Sequence, residues 1–179
     1  MKKHLTTIAV ALLSCSLQAK SEPLKEFETL VAACKSSMEG RPSIKVNYNE
    51  SSGIWLKILF GPAVVTYDVV KTNSLVSPFS AVIEVTEIIS SKIDKDESTL
   101  RAAPIAIDES SASPTKYVTK ITYDYKANSW EATGAVRTTF ARRQGGMQGF
   151  EGQGSSFRHT RENLPKALST LVACLPKTV

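Results

Sequence analysis

Between Gly53 and Ile89 the chain sets apolar and β-branched side chains at every second position over three successive runs, and this alternation constrains the fold more than any other feature. Ile54, Leu56, Ile58 and Phe60 would share one face, as would Val65, Tyr67 and Val69, and again Ala81, Ile83 and Val85. A period of two turns one side of an extended strand to a core and the other to water. Gly61-Pro62 parts the first run from the second because proline cannot donate to a sheet ladder. Strands are therefore expected over residues 54–60, 63–71 and 79–89, with 72–78 as the link.

Other segments extend the pattern. Residues 43–48 alternate briefly before a turn at Asn49-Glu50-Ser51-Ser52-Gly53. Tyr117, Ile121, Tyr123 and Tyr125 alternate with Lys120, Thr122, Asp124 and Lys126, which describes a strand with one packed and one wet face. After Ala127-Asn128-Ser129, a returning strand would set Trp130, Ala132, Gly134, Val136, Thr138 and Phe140 on one side. Residues 90–98 concentrate charge and read as a solvated loop, as do 108–114, and residues 100–107 read as a further short strand.

Helical spacing brackets these strands. Leu24, Phe27, Leu30, Val31, Cys34 and Met38 recur at three- and four-residue steps from Ser21 on, until Gly40 and Pro42 end the run. Near the C-terminus Leu164, Leu168, Leu171 and Leu175 form one stripe from about Asn163, with Pro165 in the first turn. The order of elements predicts an α+β fold in which a meander-like antiparallel sheet of about five to seven strands is packed by an N-terminal and a C-terminal helix.

The N-terminus reads as an export signal. Lys2 and Lys3 precede an apolar stretch from Leu5 to Leu13, too short to span a bilayer. Cleavage after Ala19 leaves residues 20–179 as one α+β domain. The alternative is a lipoprotein signal over residues 1–14, because Leu12-Leu13-Ser14-Cys15 resembles a bacterial lipoprotein box, with lipid on Cys15. No later stretch reaches the roughly 18 apolar residues of a membrane span. A periplasmic protein is expected, or on the alternative an outer-membrane lipoprotein. Either leaves Cys34 and Cys174 as the two unmodified thiols in an oxidising compartment, each in a similar context (LVAAC and LVAC), and predicts a disulfide between them.

Charge and chemistry narrow the function. Loss of residues 1–19 removes two lysines and no acid, so the formal charge falls from +5 to +3. That is far from the dense positive field of a nucleic-acid-binding protein. A mature chain with His159 as its one histidine offers few ligands for a metal, and no metal or cofactor is expected. Glu84 and Glu87 are three apart on a strand, hence on opposite faces, and do not form an acid/base pair. Ser113-Pro114-Thr115-Lys116 matches the S-x-x-K pattern, but a strand follows where that chemistry needs a helix.

Residues 142–161 are the most distinctive stretch. Gly145, Gly146, Gly149, Gly152 and Gly154, five of the nine glycines, fall among Arg142, Arg143, Arg158 and Arg161. Glycine lets backbone N–H groups turn toward an anion, and arginine offers a planar fork for carboxylate or phosphate. The competing reading is a linker with too little apolar surface to order, against which Met147, Phe150 and Phe157 speak. The sequence thus points to an exported, non-enzymatic binding protein, periplasmic or outer-membrane-associated, with a protein partner or an anionic envelope ligand. An immunity or inhibitor protein is one form of this. The alternative is a cell-envelope hydrolase using His159 with Glu151 or Glu162.

Overall fold

The alternating runs become the middle of a sheet. In the computed structural model, which describes residues 8–107, 114–141 and 154–177, one seven-stranded sheet is built from β1 (Ile44–Asn49), β2 (Ile54–Phe60), β3 (Val64–Lys71), β4 (Phe79–Asp94), β5 (Thr115–Lys126), β6 (Ser129–Ala141) and β7 (Ser155–Thr160). Its pairings are antiparallel throughout. β2 and β3 lie end to end along β4, with Val64 opposite Thr86 and Phe60 opposite Ile89, so the pair acts as one long strand broken at Gly61-Pro62-Ala63. The break is pinned by the Gly61 N–H donating to the Ile88 carbonyl at 2.8 Å. A Cβ at position 61 would stand 2.8 Å from Ile107 Cδ1 and 3.0 Å from the Ile88 oxygen, so this close approach requires glycine.

Helix α1 (Ile8–Glu39) covers one face. Phe27, Val31, Cys34 and Met38 form its buried stripe, packed on Ala81, Ile83 and Val85 of β4, Ile121 and Tyr123 of β5, and Trp130 and Ala135 of β6. Each large side chain buried there contributes about 1.5–3 kcal/mol. The expected face mates meet: Val65 is opposite Val85, Tyr67 opposite Ile83 and Val69 opposite Ala81. The helix starts well before Ser21, because residues 8–20 are rich in strong helix formers, and Pro23 lies inside it.

Beyond the apolar stripe the helix end is held ionically. The half-buried Arg41 guanidinium pairs with buried Glu87, donates to the Gly61 carbonyl at 3.3 Å and lies over the Phe60 ring at 4.5 Å.

Four local expectations are corrected. β4 runs on through Ser90 to Asp94, because Ile58, Leu59 and Trp55 of β2 pair with the segment that charge alone marks as a loop. The strand expected over residues 100–107 does not form: helix α2 (Glu97–Ala102) takes its first three residues and buries Leu100, and 103–107 follow as irregular chain. Asp96 is its N-cap, accepting the Thr99 N–H at 2.7 Å, and Lys57 closes its other end by donating to the Arg101 and Ala103 carbonyls at 2.8 and 2.7 Å.

In β6 the register shifts: Tyr123 faces Ala132 but Thr122 faces Gly134, leaving Thr133 as an extra residue. This bulge passes the core-facing role from Trp130 and Ala132 to buried Ala135, so Gly134, Val136, Thr138 and Phe140 fall on the other face.

The expected C-terminal helix is a broken one, a 3-10 turn at Arg161–Asn163, helix α3 (Leu164–Ala167) and a second 3-10 turn at Val172–Cys174. Leu164, Leu168 and Leu171 are nevertheless buried. Leu168 leaves helical geometry (φ −109°, ψ 35°), and the bonds from Leu171 N–H to the Leu168 carbonyl (2.8 Å) and from Cys174 N–H to the Leu171 carbonyl (2.9 Å) tighten the path. Ser169 and Thr170, residue types that favour a helix interior poorly, sit at the break.

Candidate functional site

Cys34 and Cys174 meet, with sulfurs 2.03 Å apart and Cα atoms 4.4 Å apart across 140 residues of sequence. The disulfide ties the C-terminal segment to α1. The buried Tyr123 hydroxyl donates to the Cys174 carbonyl at 2.6 Å, and burial pushes that phenol's pKa up, so it stays a donor.

The glycine/arginine stretch is divided. Arg142 and Arg143 lie outside the described residues, with Met147, Phe150 and Glu151. From Ser155 on, the chain is not loop but edge strand β7, with Arg158 opposite Val136, His159 opposite Ala135 and Phe157 opposite Arg137. Arg161 follows in the 3-10 turn and bonds Glu131 at 2.9 Å. Arg158 and Arg161 are thus drawn to different parts of β6. The alternation of Ser155, Phe157 and His159 with Ser156, Arg158 and Thr160 was the signal for this strand, and the neighbouring glycines obscured it.

His159 sits on β7, and its nearest sequence candidate for a carboxyl partner, Glu162, is tuned the wrong way for a proton donor. A hydrogen bond from Thr160, then one from its own backbone N–H, with the Arg161 charge adding to these, holds Glu162 below the usual carboxylate range. General acid catalysis calls for the opposite shift. Cys15 lies on the backbone of α1.

The structure instead assembles a groove where β6 begins. Ala127 (φ 48°) and Asn128 (φ 61°) make a two-residue hairpin turn that closes Lys126 onto Ser129 and puts Trp130 at the sheet's end. The Trp130 ring lies 4.6 Å from Phe27 and 5.3 Å from Tyr125, and its Nε1–H donates to the Pro23 carbonyl at 2.8 Å. Around its outer side runs a groove of about 360 Å3 with an apolar wall of Trp130, Ala132, Leu164, Pro165, Leu175 and Pro176. Its rim carries Ser129, the Arg161–Glu131 pair and Lys177. That volume lies within the ~300–1,000 Å3 usual for ligand sites. Two cations against one carboxylate bias the rim toward an anion.

Of the two described arginines singled out from sequence, Arg158 and Arg161, it is Arg161 that lines this groove. The remaining lining was not legible in advance, because Trp130, Leu164 and Leu175 carried only core-face signals and come together through the disulfide and the broken helix. Among the described residues no three His, Cys, Asp or Glu side chains cluster as a metal site would require, and no helix is long and apolar enough to cross a membrane. Set against family models, curated proteins and solved structures, the chain matches none of them.

Proposed function

We propose that this is an exported, non-enzymatic binding protein of the bacterial cell envelope, periplasmic or outer-membrane-associated, that holds a ligand with an apolar body and an anionic group in the groove beside Trp130. The observation carrying this reading is the groove's composition: an apolar wall under a rim where Arg161 and Lys177 outnumber Glu131. A small molecule or an acidic, apolar segment of a protein partner would present the same chemistry. The Cys34–Cys174 bond supports the export half of the reading, since such bonds persist in oxidising compartments.

The test uses 1-anilinonaphthalene-8-sulfonate, a dye with an aromatic body and one sulfonate. It should bind with energy transfer from Trp130. Ala132→Phe, which fills the groove, and Arg161→Glu, which reverses its rim, should each weaken binding about tenfold, equivalent to ~1.4 kcal/mol. Unchanged affinity in both variants would show that the groove is not the binding site.

A further inference from the structure

The loop between β3 and β4 points to a second surface. At its apex Leu75 is 101% exposed and Val76 73%, two adjacent, largely uncovered aliphatic side chains. The loop is nonetheless tightly braced. The Thr72 N–H donates to the Pro78 carbonyl at 2.9 Å. Ser74 N–H donates to Thr72 Oγ1 at 3.1 Å, while Val76 N–H and Ser77 N–H both donate to Ser74 Oγ, at 3.2 and 3.1 Å. The Thr72 hydroxyl donates to the Ser77 carbonyl.

No charged residue occurs from Thr72 to Phe79, and Lys71 stands exposed at the base. Withdrawing water from this tip costs less than from an open loop, because the N–H groups of Thr72, Ser74, Val76 and Ser77 already have partners and it brings no charge into an apolar medium.

The position of the loop selects the medium. Across the sheet Lys71 is opposite Phe79, Phe79 opposite Tyr125 and Tyr125 opposite Trp130, so the loop stands at the Trp130 end. Pro23 of α1 is bonded to Trp130 there, whereas Arg41, just past the helix's other end, pairs with Glu87 farther along β4. Helix α1 runs on N-terminally from Pro23 at the end where Leu75 and Val76 project, and the inference rests on the lipoprotein reading, in which Cys15 of that run carries the lipid.

We propose that this end of the domain faces a lipid bilayer, with Leu75 and Val76 entering its interface and Lys71 at headgroup level. Lysine at the edge of an apolar insertion keeps its ammonium among the headgroups.

The experiment places benzoylphenylalanine at position 75 of the full chain, and in a control at Asp68, exposed in mid-strand on β3. Each is irradiated with vesicles of phosphatidylethanolamine and phosphatidylglycerol. Phospholipid adducts, identified by mass, should exceed those of the control about tenfold at position 75. Equal yields at the two positions, or no lipid adduct at 75, overturn the proposal. So does a position-75 adduct that in whole cells is a protein, since the tip would then fill a partner's pocket. If the label at 75 lowers the thermal midpoint, the same label at Val76 gives the same decision.

Discussion

The two main helices are fastened to the sheet by opposite means. α1 is held by Phe27 against Tyr123 and Trp130, by a buried stripe and by a covalent bond to the C-terminal segment. α2, six residues long, offers one buried leucine and depends on polar ends: Asp96 at one, the Lys57 ammonium at the other. On β4, Ser90 Oγ is buried without a hydrogen-bond partner among the described residues. Apolar and covalent fastening couples distant parts of the chain, so that losing it loosens the whole domain. Polar capping is confined to a few neighbouring groups, and its loss should open α2 alone.

The largest test of this contrast is removal of the disulfide. Cys174→Ser, or reduction, should cost about 5 kcal/mol in denaturant unfolding on the chain-entropy account of a loop this long, with every probe of structure shifting together. A loss below about 1 kcal/mol would mean that stacking alone secures α1.

A middle case is the ionic clamp at the end of α1. Glu87→Ala leaves the half-buried Arg41 charge unpaired and should cost about 3 kcal/mol, toward the lower end for such pairs because water reaches part of the guanidinium and the Gly61 carbonyl and Phe60 ring remain beside it. The double replacement Arg41→Met with Glu87→Leu should recover most of that loss in the same unfolding assay. Failure to recover would show that the clamp positions the Gly61 break as well as the helix.

The smallest effect belongs to α2. The Ser98 hydroxyl, then the Thr99 N–H, hold the Asp96 carboxyl down to about 2 from an ordinary 3.8. Because the folded value is depressed, the cap favours the fold above the ordinary value and is lost as pH falls through about 2. The carboxyl carbon shift of Asp96 should titrate there, with faster amide exchange in α2 and no change elsewhere. A midpoint at the ordinary value would mean that Asp96 does not cap the helix.

What the sequence disclosed follows the same division. The alternation in β3, β4 and β5, the Phe27-Val31-Cys34-Met38 stripe and the cysteine pairing are properties of regular spacing or of cysteine count and appear in the structure, whereas in β2 the one buried side chain is Lys57, opposite the expected face of Ile54, Leu56, Ile58 and Phe60. The Thr133 bulge depends on a cross-strand register that no spacing in β6 announces, so it displaced Gly134, Val136, Thr138 and Phe140 to the far face. α2 left a readable trace, since Asp96 three residues ahead of Thr99 is an N-cap pattern, but the surrounding charge suggested solvent. The groove gave none beyond Arg161. Its walls come from segments far apart in the chain, and a broken helix carries the same leucine stripe as an intact one.

The bond between Cys34 and Cys174 also makes most of the domain a covalent ring. A protease that cuts one peptide bond anywhere between those two residues opens the ring without releasing a fragment, and both halves stay attached through sulfur. Damage to a surface loop of this protein therefore need not reduce its mass, and the two pieces part only when a reductant follows the cut.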